Sequence, residues 1–140
     1  MIAPKFNAKD YTIKLKATIQ RTGKLGFTSD TIEKLRLEQG SSIYLAKDDE
    51  NKKIMYMSVV HEVRDDAFAL LSSGKYPYLN TTALFKELKL DFVNKVFMFD
   101  LSRYPEGDEI MEGECYKMEM RQKERNKDDK EDGEIEKELE

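Results

Sequence analysis

The sequence predicts an α+β protein of two ββαββ units with two short helices. Three observations carry that expectation. "YTIKLKATIQ", residues 11–20, alternates apolar and polar side chains along its whole length. Two short amphipathic runs carry helix-start signals and are too short to be stable unless packed on a sheet. The same order of signals also occurs twice. A gapless shift of 53 residues lays Leu35-Arg36-Leu37 on Leu88-Lys89-Leu90, Ile32 on Phe85, and Ile43-Tyr44-Leu45 on Val96-Phe97-Met98.

The elements follow in chain order. Ile13, Leu15, Ala17 and Ile19 form the inner face of the first strand, and Lys14 and Lys16 lie on the outer one. "RTGK" turns the chain at Gly23, and "LGF" is the short return strand. Ser29 is the expected N-cap of a first helix, with Asp30 in its first turn and Ile32, Leu35 and Leu37 as its buried stripe. Gly40 ends that segment, "SSIYLAK" is the next strand, "DDENKK" a charged turn and "IMYMSVVHEV" the following strand. The second unit reads "AFALLSS" as a strand, "GK" as a turn and "YPYL" as a short strand. "NTTALFKELKL" is then a helix capped by Asn80 or Thr81, and "NKVFMFDL" a strand. "YPEGDE" is a turn, and "IMEGECYKMEM" a last strand weakened by Gly113 and its glutamates.

This places an N-terminal arm at 1–10, a duplicated domain at 11–120 (units 11–63 and 66–120) and an acidic tail at 121–140. The tail has only Ile135 and Leu139 as large aliphatic residues, so it is expected to be disordered or a solvated helix. The net charge of −4 conceals a split: residues 1–105 carry 17 Lys/Arg against 13 Asp/Glu, and residues 106–140 carry 7 against 15. A mildly basic domain suits a polyanion, and the tail is placed to meet a basic surface or to compete with a polyanion for it.

Composition also excludes function classes. His61 is the single histidine, which rules out a multi-histidine metal site, and Cys115 is the single cysteine, which rules out an internal disulfide. Cys115 and His61 fall in different expected strands and read as incidental rather than as a nucleophile–base pair. The acids of "KDDENKK" and "RDDAF" lack the spacing and glycine of a calcium loop, and "RTGKLG" lacks the frame of a phosphate loop. No enzyme activity, cofactor or metal is therefore expected. Phe85, Phe97 and Phe99 read as core, while Tyr76 and Tyr78 beside Lys75 are the aromatic contact candidates. The first 20 residues hold no apolar h-region, and no apolar run reaches the roughly 20 residues of a membrane span, so a cytoplasmic protein is expected.

One run resembles a known family. Gly23-Lys24, the strand Leu25 to Phe27, the helix Ser29 to Lys34, Leu35-Arg36-Leu37, the turn Glu38 to Gly40 and the hairpin from Ser42 through "DDENKK" to "IMYMSV" resemble AbrB- and MazE-like swapped-hairpin transcription factors. The resemblance covers residues 11–60, and 66–120 more weakly. It implies a swapped-hairpin or double-psi-like cradle-loop barrel, built by one chain as a pseudo-dimer or by a homodimer. It also implies binding of double-stranded DNA by basic residues near the Gly-basic turn. Carried over, these are Lys14, Lys16, Arg21 and Lys24, with Lys75 at the corresponding turn of the second unit. The chain departs from the family at Thr28, where proline is usual, and at Ile32 and Glu33, where arginines are common. The rival expectation is a protein-interaction module, meeting its partner through the acidic tail or the methionine-rich strands.

Overall fold

A computed structural model describes residues 1–8, 14–74 and 76–125. The elements are β1 (Leu15–Ile19), β2 (Leu25–Phe27), α1 (Ser29–Leu35), β3 (Ser42–Lys47), β4 (Ile54–Val60), β5 (Phe68–Ala69), β6 (Leu71–Ser73), β7 (Tyr76–Leu79), α2 (Thr82–Glu87), β8 (Lys95–Arg103) and β9 (Glu114–Glu124). A 3-10 turn, Pro105–Glu109, lies between the last two strands.

The nine strands pair antiparallel in the order β5-β3-β4-β9-β8-β1-β2-β7-β6. The two ends of that order, β5 and β6, are separated in the chain by Leu70 alone. One short segment therefore pairs with β3 on one side and with β7 on the other, which curls the sheet into a nearly closed barrel. Leu70 secures the crossing by donating its N–H to Ser41 O (3.0 Å). Near-closure leaves only short strands at the edges, the usual protection against edge-to-edge pairing.

The barrel interior follows the period-two rule of strands. Ala17, Ile19, Leu25, Phe27, Ile43, Met57, Leu79, Phe99 and Met118 are fully buried. Leu35 and Phe85 from the helices, with Leu37 and Phe92 just beyond them, join the same cluster. The β1 alternation holds over the described part, although Thr18 on its outer face is also buried; residues 11–13 lie outside the described residues.

Three expectations are corrected. The N-cap of α1 is Thr28, not Ser29: its backbone is extended (φ −69°, ψ 159°), and its carbonyl accepts Ile32 N–H at 2.9 Å. The expected strand at 54–63 stops at Val60, and His61 to Val63 are exposed. The last strand is the longest of the nine and runs to Glu124, four residues past the expected boundary, because Arg121–Glu124 pair with Lys95–Met98 of β8. Residues 126–140, the remainder of the expected tail, lie outside the described residues. Among the described residues no helix is long and apolar enough to cross a membrane.

Candidate nucleic-acid interface

Lys16 is positioned by α1. Thr31, fully buried at the start of that helix, accepts Lys16 N–H through its Oγ1 (2.8 Å) and donates back to Lys16 O (3.1 Å). Where the β1–β2 ladder ends, the hydroxyl thus takes over as partner for the β1 backbone. Lys16 is half-buried and Lys14 exposed. Both line a shallow depression with Thr28, Ser29 and Asp30, and a second one of about 510 Å³ with Asp100, Leu101 and Arg121. Asp100 stands opposite Lys16 in the β1–β8 register and is gripped by Arg121 through Nε (2.7 Å) and Nη2 (3.1 Å). Lys14, Lys16 and Arg121 therefore converge around one carboxylate.

Arg21 and Lys24 sit at the other end of β1, on the turn to β2. With strands rising roughly 3.3 Å per residue, Lys16 and Arg21 are about 16 Å apart along the chain. Lys24 Nζ lies 4.6 Å from the centroid of the Tyr78 ring, a cation–π contact across β2 onto β7. One of the two aromatic contact candidates is thus the partner of a predicted basic residue. The other, Tyr76, packs with Met98 against buried Val96. The predicted basic residues form two pairs at opposite ends of one strand, and Lys75 lies outside the described residues.

A larger group of basic side chains lines another surface. An open groove of about 740 Å³ at one end of the barrel is lined by Lys52, Lys53, Lys89, Lys95, Arg121 and Lys123, with Asp91 as the one carboxylate among the described residues that line it. Leu90, Met98 and Met120 contribute an apolar floor. Its walls are tied together: Met120 N–H donates to Lys53 O (2.8 Å), and Arg125 donates its backbone N–H to Asn94 O (3.0 Å) and its Nη2–H to Phe92 O (3.1 Å). Asp91 is occupied in a turn by the side-chain amide of Asn94 (3.0 and 3.2 Å). In the sequence these lysines stand in separate short polar runs, each of which reads as a solvated turn or strand end. The acidic–basic split of the chain was the only available signal, and it marked residues 1–105 as a whole, without Arg121 and Lys123.

The chemistry available elsewhere is limited. Among the described residues no group of three or more His, Cys, Asp or Glu could hold a metal ion. His61 Nδ1 lies 3.5 Å from Ser41 Oγ, whereas Cys115 is buried against Met111, and burial raises its thiol pKa. A small pocket of about 260 Å³ is lined by Asp48, Tyr56, Tyr104, Ile110, Met111 and Cys115, among others. Tyr56 donates its hydroxyl to Asp48 (2.8 Å), which pushes the phenol up to about 12 and holds the carboxyl below its ordinary value. Ile110, at the pocket rim, is 84% exposed.

No family model matches the chain, and no curated protein or solved structure matches it.

Proposed function

We propose that the protein binds double-stranded DNA through phosphate contacts, as a small regulator or antitoxin-like protein of the AbrB/MazE type. The observation that carries the reading is the convergence of Lys14, Lys16 and Arg121 along one exposed depression, with Asp100 on its lining and Asp30 on that of the neighbouring one. Lysine on a flat strand surface acts as a point charge, so the contacts position DNA without reading bases.

The swapped-hairpin part of the proposal draws support from symmetry in the strand order. Exchanging β1 with the β5–β6 segment, β2 with β7, β3 with β8 and β4 with β9 maps every pairing onto a pairing. Two tandem ββαββ units with an internal two-fold would have this property.

Fluorescence anisotropy with random-sequence duplex DNA at low and moderate salt tests the function. Binding should weaken steeply with salt, and Lys14→Glu should weaken it further. Saturating protein with no anisotropy change at low salt overturns the proposal. A second reading, a protein-interaction module, is favoured by exposed Ile110 beside the Tyr56–Tyr104 pocket. Ile110→Asp leaves DNA binding intact under the first reading and abolishes partner capture under the second.

A further inference from the structure

We propose that the groove between the β3–β4 turn, the segment after α2 and the end of β9 is a second phosphate-binding surface, which takes the sugar-phosphate backbone of the nucleic acid lying on the β1 face. The inference rests on the DNA-binding reading for its ligand, but its residues are different ones.

Among the described residues six cations line one open space with a single carboxylate, and one of them, Arg121, is ion-paired with Asp100 from outside that lining. Like charges confined around a concave, partly apolar surface repel one another and focus a positive field, and an anion relieves that repulsion. The two depressions on the β1 face each set two or three cations against one acid, so the groove is the more strongly biased of the surfaces. The cations come from separate elements, and the barrel holds those elements in place. Lys53 is fixed through its own carbonyl to β9 and through its N–H to Asn51 Oδ1 (2.9 Å). Lys89 is fixed by the turn that ends α2, where its N–H donates to Lys86 O (3.0 Å).

The groove is also continuous with the β1 face. Arg121 lines both. In register, Lys16 stands opposite Asp100, Met98 opposite Arg121 and Val96 opposite Lys123. From β1 to β9 is two interstrand steps, about 10 Å, which a few nucleotides of one backbone span. Five of the six cations are lysines, and a compact ammonium binds phosphate without selecting a base. The footprint is therefore expected to add affinity and salt dependence, and no sequence preference.

The test compares salt slopes. Lys52→Gln/Lys123→Gln changes two exposed positions on opposite walls, and circular dichroism melting verifies that the barrel is retained. With random duplex DNA the logarithmic salt slope should become shallower by about two, since each phosphate contact contributes about 0.9. The loss of affinity should be equal across unrelated sequences. If only Lys14→Gln changes the slope, the groove proposal is overturned and the β1 reading stands. If the wild type binds no DNA, calorimetry with inorganic tripolyphosphate decides separately. Uptake lost in the groove variant but kept in Lys14→Gln retains a phosphate site in the groove and overturns the DNA reading; no uptake overturns both. A single-stranded oligonucleotide that binds more tightly than the duplex assigns the groove to single strands.

Discussion

Arg36 and Lys89, 53 residues apart, hold matching left-handed backbone conformations at the ends of α1 and α2, with φ 53° and 60°. The hydrogen bonds around them match as well. Leu37 N–H reaches Ile32 O at 2.9 Å, and Leu90 N–H reaches Phe85 O at 3.0 Å. Arg36 N–H reaches Glu33 O and Lys89 N–H reaches Lys86 O, which completes a Schellman arrangement at both ends. The same 53-residue offset that aligns the sequence therefore aligns two helix terminations.

A left-handed L-residue costs about 1–2 kcal/mol, and glycine avoids this at an entropic cost of roughly half as much. Arg36→Gly and Lys89→Gly should each stabilise the protein by about 0.5–1 kcal/mol. The urea midpoint checks this, and a fall in midpoint for both variants contradicts it. Lys89→Gly carries a second expectation. Lys89 lines the basic groove, so this variant should become more stable while its DNA affinity falls.

Gly23 should be far less replaceable than Gly40. Both have φ near +90°, but a Cβ on Gly23 would lie 2.9 Å from Phe92 Cζ and from Thr82 Cα, while Gly40 faces open space. The carbonyls of Thr22 and Gly23 also accept the hydroxyls of Thr82 and Thr81, so the turn is clamped to the start of α2. Gly23→Ala should destabilise by about 2–4 kcal/mol, combining backbone strain and overpacking. Gly40→Ala should cost only the strain, about 1 kcal/mol. Equal losses in denaturant titrations would show that the contact with Phe92 is not tight.

Much of this framework was legible in the sequence, because strand alternation and helix punctuation are local signals. Ala17, Ile19, Leu35, Phe85 and Phe99 all enter the core as their spacing predicts. Thr31 was missed because its burial serves a hydrogen bond to Lys16, fifteen residues away, which no local pattern encodes. The end of β9 was missed for a different reason. Arg121–Glu124 pair through their backbone, while their side chains are all exposed, so composition reports solvent where the chain is in a sheet. The basic groove was illegible for the same kind of reason. Lys52, Lys95 and Lys123 meet only because β9 lies between β4 and β8.

Acid should destabilise the protein through Asp108 and Glu112. Arg103 binds Asp108 with two hydrogen bonds (2.8 and 2.5 Å), and Cys115 N–H adds a third (2.8 Å). Arg103 first, and then that N–H, hold the Asp108 carboxyl below its ordinary value; Arg64 does the same for Glu112. The folded state therefore binds these protons more weakly than the unfolded chain. The stabilisation is present above the unfolded carboxylate pKa values, about 4, and is lost as pH falls through the lowered folded ones. Both pairs are solvent-exposed, so the effect should be modest. Thermal midpoints measured from neutral pH downward should decline in this window, and Asp108→Asn should make the decline shallower. An unchanged acid limb in Asp108→Asn would remove the Arg103 pair from the explanation.

Two truncations should act in opposite directions on polyanion binding. Removing residues 126–140 takes away eight acids and three lysines and leaves every residue of the groove in place. The removed segment is joined to Arg125, whose backbone and side chain are held at Asn94 and Phe92 beside Asp91 and Lys95 of the groove. A tethered acidic segment at that position competes at high effective concentration. Truncation after Arg125 should therefore tighten DNA binding, most visibly at low salt. Truncation after Met120 removes Arg121 and Lys123 from the groove and unpairs Lys95–Met98 from β9. That variant should bind more weakly and melt at a lower temperature. Anisotropy titrations of the two variants, each with its melting curve, separate the effects. If the shorter truncation binds no more tightly than the full chain, the segment does not compete for the groove. If the longer one keeps full affinity, Arg121 and Lys123 do not contribute to binding.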